Sequence, residues 1–130
     1  MSTGTIDQRV EALRHTIVAL VRRDETDLSA RQLSVLLTSY LETEAQTVRG
    51  LAAYLNVSKP AITRALDRLS EFDLVRRKTD PLDRRSILVQ RTLAGTAFVR
   101  DLKKIISDAE REAQRAPGKA GRVRATVEAA

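Results

Sequence analysis

The stretch Thr47-Val48-Arg49-Gly50-Leu51-Ala52-Ala53-Tyr54-Leu55-Asn56-Val57-Ser58-Lys59-Pro60-Ala61-Ile62-Thr63-Arg64-Ala65-Leu66-Asp67-Arg68-Leu69 decides the architecture of this chain. Thr47 is placed to cap a short helix from Val48 to about Leu55, with Leu51, Ala52 and Leu55 as its apolar positions. Asn56-Val57 breaks that helix, because Asn tolerates the left-handed conformation that a tight turn between helices needs. Ser58 then caps a second helix that runs to about Phe72. Pro60 falls in its first turn, where a missing N–H is harmless. At about 100° per residue, Ala65, Leu66 and Leu69 fall within roughly 60° of Ile62 and form one apolar face. Two helices joined by so short a turn make a helix-turn-helix.

Working towards the C-terminus, the period changes from helical to extended after Asp73. Leu74-Val75-Arg76-Arg77-Lys78 and Arg85-Ser86-Ile87-Leu88-Val89-Gln90-Arg91 read as two strands, with Thr79-Asp80-Pro81-Leu82-Asp83-Arg84 as the turn between them. Thr92 is placed to cap a last helix over 93–115, stopped by Pro117-Gly118. Its apolar positions Phe98, Leu102, Ile105 and Ala109 form a narrow seam. Residues 116–130 lack an apolar face and read as a flexible basic tail.

Working towards the N-terminus, Ser29-Ala30-Arg31-Gln32 matches a capping box for a core helix that holds Leu33, Val35, Leu36, Leu37, Tyr40 and Leu41 and ends near Glu44. Before it, a helix over 6–23 carries Ile6, Val10, Leu13, Ile17 and Leu20 at alternating spacings of four and three, with Val21 beside them. So narrow a stripe suits packing on a partner chain; the alternative is a cover for the chain's own core. The expected fold is mainly α with a small β-hairpin: a winged helix-turn-helix with N- and C-terminal dimerisation helices. Its segments are 1–28, 29–92, 93–115 and the tail.

Composition narrows the function. The 130 residues carry 42% apolar and 31% charged side chains, as folded domains do. There is no cysteine and one histidine, His15, so thiol chemistry, Cys-ligated zinc and multi-histidine metal sites are excluded. No cofactor is expected. No apolar run approaches the roughly 18 residues of a membrane span, and the N-terminus does not read as a signal peptide. The expected location is cytoplasmic, on the nucleoid, with no membrane partner. Aromatics are 3% of the chain, too few for a single-strand stacking platform. Net charge is +6, and residues 47–92 hold ten basic against five acidic groups while residues 1–46 hold five against seven. A basic central module points to a polyanionic partner.

On the helix after Ser58, Arg64 points away from the apolar face, with Arg68 and Ala61 on one flank and Thr63 on the other. Ser58, Lys59 and Pro60 stand at its N-terminus. Arg reads guanine bidentately in the major groove, and Thr and Ala methyls suit thymine. At the hairpin, Arg84 and Arg85 follow Asp83, whose carboxylate is placed to hold a guanidinium that enters a narrow minor groove. With Thr47, these are the candidate DNA contacts. Catalysis is not expected, since no nucleophile–base pair is present. The alternative is a winged-helix module that binds protein without reading DNA.

The stretch from Thr47 to Leu69, continued by Leu74-Val75-Arg76-Arg77 and by Asp80-Pro81-Leu82-Asp83-Arg84-Arg85 and Thr92-Leu93-Ala94-Gly95, resembles the MarR family of bacterial transcription regulators over roughly residues 30–100. The resemblance implies a homodimer on a palindromic operator in double-stranded DNA, usually as a repressor. It implies residues 58–68 in the major groove, Arg84 in the minor groove with Asp83 orienting it, and dimerisation through 6–23 and 93–115. A small-molecule effector is implied as a further partner. The chain departs from the family pattern at Arg91, where Leu is usual, at Gly50, where Glu is frequent, and in having one helix rather than two after the wing.

Overall fold

The computed structural model describes residues 5–23 and 26–115. The order is α1 (Ile6–Arg22), α2 (Ala30–Leu41), α3 (Val48–Leu55), α4 (Lys59–Glu71), β1 (Val75–Asp80), β2 (Asp83–Arg91) and α5 (Leu93–Arg115). The expected tail over 116–130 lies outside the described residues. No helix among the described residues is long and apolar enough to cross a membrane.

The chain divides into two compact units, one from Leu28 to Asp101 and one made of α1 with α5 from Leu102 onward. The division between these units falls inside α5. In the first unit, Val35 and Leu36 of α2, Leu51 of α3, and Ile62, Leu66 and Leu69 of α4 close a core with almost no exposed surface. Leu74, Val75 and Val89 extend that core into the base of the hairpin, and Phe98 of α5 packs against it.

Short-range chemistry sets the helix starts. Ser29 and Gln32 form a reciprocal capping box, and Thr5 and Gln8 form another at the start of α1. Thr47, Ser58 and Thr92 accept from the backbone N–H groups of Gly50, Ala61 and Gly95. Asn56 ends α3 in the left-handed region at φ 58°, as the sequence indicates, and Asp73 adopts the same φ after α4. α2 stops at Leu41 rather than near Glu44, with Glu42 already extended.

The hairpin is longer than its turn residues suggest. β1 and β2 pair antiparallel from Val75↔Arg91 to Thr79↔Ile87, and after an irregularity the pairing closes at Asp80↔Asp83. Only Pro81 and Leu82 remain as the tip. Asp83 and Arg84 thus belong to the strand with Arg85 and not to the loop. The backbone at Gln46 and Thr47 adds a third, partial rung: Gln46 O accepts from Val89 N–H at 2.9 Å, and Thr47 bridges Leu88. This rung ties the start of α3 to the wing.

A polar knot joins α2 to both ends of the hairpin. The Tyr40 hydroxyl donates to Leu74 O at 2.6 Å and accepts from Thr92 N–H at 3.0 Å. Thr92 Oγ1 donates to Asp73 O at 2.6 Å. A Cβ at Gly95 would collide with the Tyr40 hydroxyl and with Leu74 O, so only glycine allows α5 to start there. Arg91 takes part as well. Its guanidinium donates to Ser39 O at 3.0 Å and Glu42 O at 2.5 Å and lies 5.7 Å from the Tyr40 ring centroid. A cation on the last carbonyls of α2 satisfies groups that the helix itself leaves unpaired.

In the second unit, the apolar stripe of α1 is exposed in the single chain, with one change of register. Ile6, Val10, Leu13, Ile17 and Val21 are 44% to 69% exposed. Leu20 is half-buried, and Val21 takes its place in the stripe. The seam expected on α5 is different. Phe98 belongs to the core of the other unit, Leu102 is buried within the chain, and Ile105 is half-buried. Phe98 and Ile105 thus keep part of their surface exposed in the single chain, while Leu102 does not. The seam was legible, but its destination depends on where α5 lies.

Candidate nucleic-acid interface

α4 presents its N-terminal turn and one face to solvent. Ser58 satisfies the Ala61 N–H at 3.2 Å, which fixes the start of the helix. Lys59, Pro60, Thr63, Arg64, Asp67 and Arg68 are exposed. Arg64 makes no ion pair or side-chain hydrogen bond among the described residues, and nor does Lys59. The opposite face, with Ile62, Ala65, Leu66 and Leu69, is buried, which holds Arg64 outward.

Three expected contact residues are used differently. Ala61 is 6% exposed; its methyl group packs inward and cannot reach a thymine without the helix moving. Helical-wheel angles put it on a flank, but the core reaches around to it. Arg68 is paired with Glu71 at 2.9 Å and lies 4.6 Å from the Phe72 ring centroid, so its guanidinium is turned towards the end of the helix. Thr47 is half-buried; its hydroxyl caps α3 by accepting from Gly50 N–H at 2.9 Å. A Cβ at Gly50 would approach that same oxygen at 2.9 Å, so glycine leaves the cap undisturbed.

The wing carries its own cations. Asp80 Oδ1 accepts from Leu82 N–H at 2.9 Å and Asp83 Oδ1 from Arg85 N–H at 3.1 Å, so both carboxylates stiffen the tip through backbone groups. Asp83 Oδ1 also lies 3.6 Å from Arg85 Nε. The carboxylate therefore faces Arg85 and not Arg84, which corrects the expected pairing. Arg84 is exposed with no ion pair among the described residues. Leu82, at the tip, is 94% exposed.

Sequence reasoning passed over Arg76, Arg77 and Lys78. In the regular part of β1, alternation places Arg76 and Lys78 on one face and Val75 and Arg77 on the other. Val75 is buried, so the first pair faces outward. Arg76 has only a long contact of 3.7 Å to Asp73. Arg77 reaches across to α4, where its guanidinium meets Asp67 Oδ1 at 2.8 Å. Period-two alternation around Val75 was the signal that separates them. No group of His, Asp and Glu suited to a metal ion occurs among the described residues.

The profile of the MarR family matches residues 28–87, which covers all of α2, α3, α4 and β1 and the first half of β2. CouR from Rhodococcus jostii RHA1, solved bound to p-coumaroyl-CoA, is 30% identical; the alignment covers 90% of this chain and 81% of that one with a TM-score of 0.61. A MarR-family transcriptional regulator from Rhodococcus sp. RHA1 is 29% identical, with 98% and 94% covered and a TM-score of 0.63. The MepR–DNA complex of S. aureus shares the fold at 19% identity, with 94% and 98% covered and a TM-score of 0.67. No curated protein matches the chain in sequence. The chain belongs to the MarR family. It is accordingly a winged-helix transcription regulator of the DNA-binding kind, and not an enzyme.

Proposed function

We propose that this chain acts as a homodimeric repressor that reads a palindromic operator, with α4 in the major groove and the β1–β2 wing in the adjacent minor groove. The observation that carries this reading is the distribution of unpaired cations. Lys59 and Arg64 on α4 and Arg84 on the wing are exposed and without ion pairs among the described residues, while Arg68, Arg77 and Arg85 are paired within the chain. Exposed cations without ion pairs among the described residues also occur at Arg31, Arg49, Lys103 and Lys104, but Lys59, Arg64, Lys78 and Arg84 stand on the two elements that fit DNA grooves. A protein-binding module needs no such set.

The exposed stripe Ile6, Val10, Leu13, Ile17 and Val21 supports pairing of two copies through α1. Apolar side chains at helical spacing that none of the described residues covers are stabilised by a like stripe on a second copy. A dimer of this kind presents two α4 helices, and two-fold symmetry then calls for an inverted repeat in the DNA.

Selection of bound duplexes from a random library tests the reading; it should return an inverted repeat. Competition binding at fixed salt should then show that Arg64→Ala costs about 1–3 kcal/mol on that site and relaxes discrimination at one base pair per half-site. Arg84→Ala should weaken binding according to the A·T content of the flank. Equal weakening on every sequence by Arg64→Ala places that side chain on phosphate. Recovery of no duplex at all refutes the proposal in favour of a protein partner.

A further inference from the structure

We infer that the Asp67–Arg77 ion pair is a positioning device that couples the two DNA-reading elements, setting the wing against α4 so that both grooves are read in one register. The inference rests on the DNA-binding reading above and assigns a role to two residues outside the contact set. Asp67 Oδ1 and the Arg77 guanidinium stand 2.8 Å apart. The pairs at Glu11–Arg14, Arg68–Glu71, Asp83–Arg85 and Asp108–Arg111 join near neighbours in sequence. Asp67–Arg77 joins the middle of α4 to the middle of β1.

The placement is informative in three ways. Asp67 lies one helical turn after Arg64 on the exposed side of α4. An unpaired carboxylate there would face the same polyanion that Arg64 is to meet, and Arg77 cancels that charge. Arg77 lies on the inward face of β1, opposite Val89 in the ladder, and its side chain is only 33% exposed. With its guanidinium on Asp67 of α4, it acts on the angle between the two elements and not on a nucleotide. Finally, the wing beyond the Thr79↔Ile87 rung holds no buried residue: Asp80 and Ser86 are half-buried and residues 81–85 are exposed. Nothing buried beyond Thr79 restrains the outer hairpin, which leaves the ion pair as a lateral tie near the base of that arm.

The test uses the full chain and duplexes recovered by selection. One set keeps the half-site and its A·T flank at the selected spacing; another shifts the flank by one base pair. Asp67→Asn, Arg77→Met and the swap Asp67→Arg with Arg77→Asp are compared with wild type, with melting curves recorded for each. Asp67→Asn adds one positive charge, so its binding to unrelated DNA should be equal or stronger. Its preference for the selected spacing over the shifted one should nonetheless fall by about threefold to fivefold, the size of one exposed ion pair. Arg77→Met should lose the same preference. The swap should restore it, because the tie needs opposite charges and not a particular order of them.

Retention of the spacing preference by Asp67→Asn overturns the inference. So does a folded swap variant that fails to regain it, since each residue would then act on DNA by itself. If wild type binds no selected duplex, the DNA-binding reading itself has failed, which is a different outcome from wild type binding without a change in the variants.

Discussion

Single side chains in this protein are best understood by asking where their polar atoms go. The Tyr40 hydroxyl serves Leu74 O and Thr92 N–H together, from a half-buried position between α2, the wing and α5. Tyr40→Phe keeps the ring and deletes only the oxygen, leaving a carbonyl and an N–H without that partner. It should destabilise the chain by about 1–3 kcal/mol, read as a lowered urea midpoint with unchanged slope. Arg91 shows why a departure from a family pattern need not be a defect. A long cationic side chain at that position reaches the carbonyl oxygens of Ser39 and Glu42, so it replaces an apolar contact by a cap on α2. None of this was visible in the sequence, because the partners of Tyr40 and Arg91 lie 34 to 52 residues away along the chain.

At the scale of elements, legibility follows the range of the forces involved. The starts of α2, α3, α4 and α5 were all readable, since a cap acts over three residues and Ser29, Thr47, Ser58 and Thr92 each announce one. The break between α3 and α4 was readable for a similar reason. Asn56 sits at φ 58°, a conformation that strains a residue with an ordinary Cβ. Asn56→Ala should therefore lower stability by about 1 kcal/mol and Asn56→Gly should not, a contrast that thermal unfolding resolves. The wing was readable as two strands but not in its extent. Asp80, Pro81 and Asp83 are turn-forming types, yet Asp80 and Asp83 pair as the last rung. Strand pairing across the hairpin overrides local preference there. The outward direction of Arg64 followed from helical period alone. The burial of Ala61 did not, because the width of a buried face depends on what packs against it.

For the whole molecule the question is how two copies would meet. Ile6, Val10, Leu13, Ile17 and Val21 expose a continuous apolar stripe on α1, while Leu102 is buried within the chain and Phe98 is half-buried against the core. The proposed dimer thus draws on α1 more than on the seam of α5. Changing Leu13 and Ile17 together to Lys places two charges in that stripe, where burial without partners is strongly unfavourable. Light scattering after size exclusion should report half the wild-type mass, with the far-ultraviolet spectrum retained. A double variant that keeps the wild-type mass shows that the stripe does not carry the interface. Loss of the dimer should also remove high-affinity operator binding, since one α4 reads only half an inverted repeat.

By itself the sequence determined the element order, the helix starts, the left-handed break at Asn56 and the outward face of α4. Caps, breakers and period act over a few residues and need no knowledge of the fold. The basic surplus between Thr47 and Thr92 was equally a matter of counting. Only the tertiary structure decided which charges are free and which are tied. Asp67 meets Arg77, Asp83 meets Arg85 and Arg68 lies over Phe72, while Arg64 and Arg84 stay unpaired. Residue type and spacing allow several such pairings at once. An ion pair a few ångströms long forms only where the shared core of Ile62, Leu66, Leu69, Val75 and Val89 brings the backbones of α4 and the wing base close together.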